Sequence, residues 1–201
     1  MRTSFTLALV LASTLAACSG DDGVSPGNEQ EVITTLSLTM TPSGGGNPIV
    51  AELDDEDGDG GNPPTVDPIT LPAGSYTVAV GFQNRLETPA EEITDEVRDE
   101  AVDHQVFFTG TAVTGPASST ANAPVTQSYT DTDDNGLPIG LANMFVTTTG
   151  TGMLTVTLRH MPPLNDQPVK TASAAADVKA GGLGAIGGET DATATFAVTI
   201  P

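Results

Sequence analysis

Eight stretches of this chain alternate apolar and polar residues with a period of two, which restricts the possible folds more than any other sequence feature. In "EVITTLSLTM", Leu36, Leu38 and Met40 fall on one face, with Thr35, Ser37 and Thr39 opposite. "SYTVAVGF" repeats the pattern with Tyr76, Val78, Val80 and Phe82. "PIVAEL", "HQVFFTGTAV", "PVTQSYT", "LANMFVTTT", "MLTVTLRH" and "TATFAVTI" are similar, and Gly, Pro or Asp bounds most of these runs. Successive side chains of a strand point to opposite faces, so alternation of this kind marks half-buried strands, which Thr and Val suit. About eight such strands in residues 31–201 predict one all-β domain, an antiparallel β-sandwich of Ig-like type. Leu36, Leu38, Val78, Val80, Val156, Leu158, Phe196 and Val198 are its expected core. With 4% aromatic residues and no Trp, that core is expected to be aliphatic.

Two segments depart from the pattern. "TPAEEITDEVRDEAVD" opens with Thr88, Pro89 and, three residues after Thr88, Glu91, the signature of a capping box with proline at the first helical position. Ile93, Val97 and Ala101 then form one narrow apolar stripe, so an inserted helix is expected near 89–103. Its seven carboxylates against Arg98 alone read as a solvated face or as a collector of cations. Residues 161–192 include "TASAAADVKAGGLGAIGGETD", a small-residue stretch expected to be a long flexible connection.

The first residues, "MRTSFTLALVLASTLAACSGDDG", combine Arg2 with an apolar run from Phe5 to Leu15 that is too short to span a bilayer as a helix. Residues 1–17 therefore read as a secretory leader. "LAAC", ending at Cys18, resembles the lipobox of bacterial lipoproteins, which implies lipidation of Cys18 and a palmitate-type anchor. Cys18 is the sole cysteine and has no disulfide partner within its chain, which also favours modification. Residues 18–30 read as a disordered tether. The expected location is the bacterial cell envelope, at the periplasm or cell outer membrane, with the membrane contacted through the lipid. A formal charge of −20 opposes nucleic-acid binding and makes cations the natural partners of the surface.

The candidate site residues lie in two acidic loops. In "DEDGDGGN", Asp55, Asp57 and Asp59 precede Gly60 in the D-x-D-x-D-G spacing of a calcium loop, where alternate carboxylates converge around a tight turn. "DTDDNG" repeats it with Asp131, Asp133, Asn135 and Gly136. Neither loop has a carboxylate at its twelfth position (Val66 and Ala142), and Asp67 or the acidic helix is expected to supply the missing oxygens. Strand-connecting turns use the same residues for conformational reasons, so weak calcium sites and plain acidic turns are both consistent with the loops. His104 and His160 are the remaining candidates, for copper or zinc, with Met153 and Met161 near the second. They have no fixed local spacing, and structural, hydrogen-bonded histidines are the default expectation. No G-x-S-x-G, H-E-x-x-H or phosphate-binding glycine loop is present, and a non-enzymatic protein is expected.

The lipobox together with "EVITTLSLTMTP", "DEDGDGGNPP", "ETPAEEITDEVRDEAVDHQVFF" and "GGETDATATF" resembles an uncharacterised family of small, acidic bacterial lipoproteins. Some of its members are labelled as type 1 periplasmic binding folds. That label implies repeated strand–helix alternation, which this chain lacks, and the resemblance carries no functional residues. The expected function is a lipid-anchored, cation- or partner-binding envelope protein, with a solute-binding lipoprotein as the alternative and a carboxylate-based hydrolase third.

Overall fold

A computed structural model describes residues 31–201 apart from 166 and 168. The expected leader, the lipidation site Cys18 and the tether lie outside the described residues. In chain order the elements are β1 (Thr35–Pro42), β2 (Ile49–Asp54), β3 (Thr65–Val66), β4 (Ile69–Thr70) and β5 (Gly74–Asn84). They continue with β6 (Glu91–Glu92), α1 (Ile93–Asp99), β7 (His104–Thr109), β8 (Val113–Gly115), β9 (Ser118–Ser119) and β10 (Val125–Tyr129). The last are β11 (Ala142–Thr147), β12 (Gly150–His160), α2 (Ala174–Gly181) and β13 (Glu189–Ile200). Each of the eight alternating runs contains one of the longer strands, and the protein is predominantly β.

The strands form two open sheets. One runs β3-β2-β1-β5-β11-β10-β8-β9, with β6 added beside β5; the other runs β4-β13-β12-β7. Most pairings are antiparallel, but β8 with β10 and β4 with β13 are parallel. The two sheets share one core, in which Leu36, Leu38, Val78 and Val80 of the first meet Val156, Leu158, Phe196 and Val198 of the second. All eight expected core residues are therefore buried. The core is not aliphatic, however. Phe82, Phe108, Phe145 and Phe196 are fully buried in it, and Phe108 meets Phe145 edge-on with ring centroids 5.7 Å apart. Few aromatics suffice because each contributes far more buried area than a valine.

The helix is shorter than its sequence signals. The N-cap is Glu92, with no side-chain capping bond, and the Thr88 capping box does not form. Glu91 and Glu92 pair instead with Asn84 and Gln83 of β5, so strand pairing takes the residues that would have made the first turn. Ile93, Val97 and Ala101 do form the buried stripe. Thr94 docks the helix by donating its hydroxyl to Phe82 O (3.2 Å) and accepting from Phe82 N (2.8 Å).

The stretch expected to be a flexible connection is ordered and contains a second helix. In α2, Ala174 and Val178 pack with Phe107, Ala117 and Met161 into a small satellite core on the outer side of the four-stranded sheet. Only Ala174 and Val178 of this helix are buried, too few apolar positions to leave a periodic signal.

Candidate metal centre

His104 begins β7 and His160 ends β12, and the two are directly opposite in the antiparallel register. Alternation from buried Val106 and Phe108 on one strand, and Val156 and Leu158 on the other, points both rings into the same end of the core. They stack there, with centroids 4.5 Å apart and planes 6° from parallel. Glu100, in the turn between α1 and β7, completes a cluster whose three ligand atoms all lie within 4.8 Å of one another. The helix end sets Glu100 in place: its N–H donates to Glu96 O at 2.9 Å.

The ring nitrogens divide their roles. His104 Nδ1 is 3.1 Å from the Glu100 carbonyl oxygen. A proton there leaves Nε2 as a lone pair, an arrangement that orients a metal-ligating imidazole. Nε2 of both histidines is buried without a hydrogen-bond partner among the described residues. Burial lowers the His104 pKa to about 4, with the nearby His160 and Lys170 adding to the effect, so the ring is neutral at physiological pH. A neutral imidazole is the form that ligates.

A β-bulge brings in a fourth group. Along β12 and β13, Leu158 pairs with Ala192 but Arg159 pairs with Thr190, so Asp191 is the extra residue. A bulge re-aims a side chain without breaking the sheet. Unbroken alternation would place Asp191 opposite to the core-facing Ala192, Ala194 and Phe196. Instead its carboxylate is 2% exposed, with Oδ2 3.7 Å from His104 Nε2 and without a hydrogen-bond partner among the described residues. Burial raises its pKa to about 6. Gly188 allows the approach at this end of the strand: its φ is +79°, and a Cβ there would collide with the His160 carbonyl oxygen. Glu31 adds a further acid, its carboxyl pushed up to about 7 by burial, by a shared hydrogen bond with Glu96, and by the charges of Glu96, Glu100 and Asp191.

Two cavities meet at Asp191. One, of about 300 Å³, is lined by His160, Pro162, Pro163, Leu164, Val169 and Glu189 as well as Asp191. The other, of about 610 Å³, is acidic, with Glu31, Asp55, Asp57 and Asp191 in its wall.

The two acidic loops sit differently. In the second, all four carboxylate oxygens of Asp131 and Asp133 are engaged by the chain itself. Asp131 accepts from Gly140 N and Ala142 N, both at 2.8 Å. Asp133 Oδ1 accepts from Asn135 N and Leu137 N, both at 2.9 Å. Asp133 Oδ2 accepts from Lys170 Nζ at 2.7 Å in a fully buried ion pair, and Nζ also donates to Ala101 O at 2.7 Å. The cation of this loop is a lysine, and Asn135 is exposed. In the first loop Asp57 Oδ2 accepts from Asn62 Nδ2 at 2.5 Å, while Oδ1 of Asp55 and Oδ1 of Asp57 are buried without partners among the described residues. Asp59 lies in the short 3-10 turn Gly58–Gly60. Asp67 accepts from Glu52 N at 3.2 Å. Met161 is buried in the satellite core and Met153 is exposed on β12.

Sequence reasoning reached His104 and His160 but missed Glu100 and Asp191 as their neighbours. Glu100 was one of seven acids in its segment, and the bulge that turns Asp191 inward has no sequence signature. Comparison of the chain with protein-family models, curated proteins and solved structures finds no match.

Proposed function

We propose that this protein is a non-enzymatic binder of a borderline divalent cation, zinc or copper, held by Glu100, His104 and His160 with Asp191 beside them. The observation that carries the reading is the buried imidazole pair, opposed across two strands, with both Nε2 atoms unpartnered and a carboxylate within reach. Nitrogen and carboxylate donors suit zinc or copper better than calcium, which takes six to eight oxygens. An ion bound about 2.0–2.1 Å from both nitrogens lies near the plane of each ring. The stacked rings must therefore open when it binds. His104 is tied to Glu100 O, so His160, which faces the 300 Å³ cavity, is the ring that tilts.

Lipid anchoring at Cys18 and residence in the bacterial envelope complete the proposal and rest on the leader and its lipobox-like "LAAC". Among the described residues no helix is long and apolar enough to cross a membrane. The shared core supports a sandwich-like reading of the two sheets, while the strand order lends no support to an Ig-like one. The cavity bordered by Pro162, Pro163, Leu164 and Val169 favours one second reading, a solute-binding protein whose bound metal helps hold a small ligand. Calorimetric titration with zinc, copper and calcium is the direct test of the metal reading. One equivalent of zinc or copper should bind, and His160→Ala should abolish that binding while the protein remains folded. A folded wild-type protein that takes up neither metal refutes the proposal.

A further inference from the structure

The first acidic loop lines the 610 Å³ cavity and has unpartnered carboxylate oxygens but does not form a chelating cluster. Among the described residues, the single group of three or more acids and histidines close enough to hold an ion is Glu100, His104 and His160. The acids of the 610 Å³ cavity are thus spread along its wall. Asp55 Oδ1 and Asp57 Oδ1 are buried without partners among the described residues, and Asp191 of the same lining has its Oδ2 3.7 Å from His104 Nε2. Carboxylates in a low-dielectric cleft focus the field and raise the local concentration of cations. Because they do not converge, they attract an ion without trapping it. Asp191 also lines the 300 Å³ cavity beside His160, so it is the group at which the acidic cavity meets the histidine pair.

We propose that the cavity lined by Glu31, Asp55, Asp57 and Asp191 is the access route by which a divalent cation reaches His104 and His160. This rests on the metal-binding reading above. The first acidic loop then has a kinetic role: it sets how fast the site loads, while the histidines set how tightly it holds.

The test is stopped-flow mixing of the full chain with Co²⁺, whose visible absorption reports ligation by histidine. Wild type is compared with the Asp55→Asn, Asp57→Asn double variant and with Glu189→Gln, which removes the acid that lines the other cavity alone. At low ionic strength the double variant should load about tenfold more slowly, within the range that electrostatic focusing provides. Its release rate into excess chelator should be unchanged. Salt at about 0.5 M, where the screening length is only a few ångströms, should bring wild type down to the variant's rate. Glu189→Gln should load like wild type. Equal loading by wild type and the double variant overturns the route, and slowing by Glu189→Gln instead moves it to the proline-lined cavity. A matching rise in the release rate would make the loop acids ligands, which also overturns it. If the double variant does not fold, salt-independent loading of wild type overturns the route. A folded wild type that binds no cobalt refutes the metal-binding reading itself.

Discussion

Replacing Asp191 with asparagine should stabilise the metal-free protein at pH 8 while weakening its hold on zinc. The side chain is 2% exposed, and no donor within hydrogen-bonding distance among the described residues compensates Oδ2. Burial moves its pKa from 3.8 to about 6, with Glu189 adding to the rise and His160 and Arg159 opposing it. The folded state therefore holds this proton more tightly than the unfolded chain does. The resulting stability is fully present below pH 3.8 and is lost as pH rises through about 6. The loss is worth about 3 kcal/mol. Asparagine has nearly the same shape and never ionises, so the variant keeps that stability at pH 8. For a domain of this size the gain corresponds to a Tm about 6–12 °C higher. Thermal melts in EDTA at pH 8 and pH 4 measure it directly: a clear gain at pH 8 and almost none at pH 4. With saturating zinc the order should reverse, because a bound ligand stabilises by mass action and wild type binds more tightly. A variant less stable than wild type in EDTA at pH 8, or one equally shifted at both pH values, would refute the reasoning.

The other predictions concern the supports of the site and its pH dependence. Lys170→Met strands the buried carboxylate of Asp133 and should cost about 3–5 kcal/mol in urea denaturation, with calcium failing to restore the loss. Gly188→Ala forces a side chain into left-handed backbone against His160, so it should cost at least about 1–2 kcal/mol and weaken zinc binding as well. Zinc affinity, followed by calorimetry, should fall as pH drops through about 6, where Asp191 takes up a proton. Protonation of His104, whose pKa burial holds down to about 4, should remove that ligand only at lower pH still.

Most of the sheet architecture was legible because alternation is a local property of strands. Leu36, Leu38 and Met40 needed only their own spacing to declare a buried face, and the same holds for Tyr76 to Phe82. The Ile93–Val97–Ala101 stripe was equally local. Where the helix begins was not, since Glu91 and Glu92 chose between a helical turn and the edge of β5, and only the presence of that edge decides. The second acidic loop shows the same limit. Its spacing matches a cation-binding pattern, yet the charge that meets Asp133 is Lys170, which lies 37 positions away in the chain. His104 and His160 were visible as residues but not as a pair. Their juxtaposition follows from the register of β7 against β12, and the company of Asp191 from one extra residue in β13. Strand faces follow from side-chain geometry within a few residues, so the sequence alone determines them. A buried site assembled from a helix end and three strands depends on which edges pair and in what register, and only the folded chain decides that.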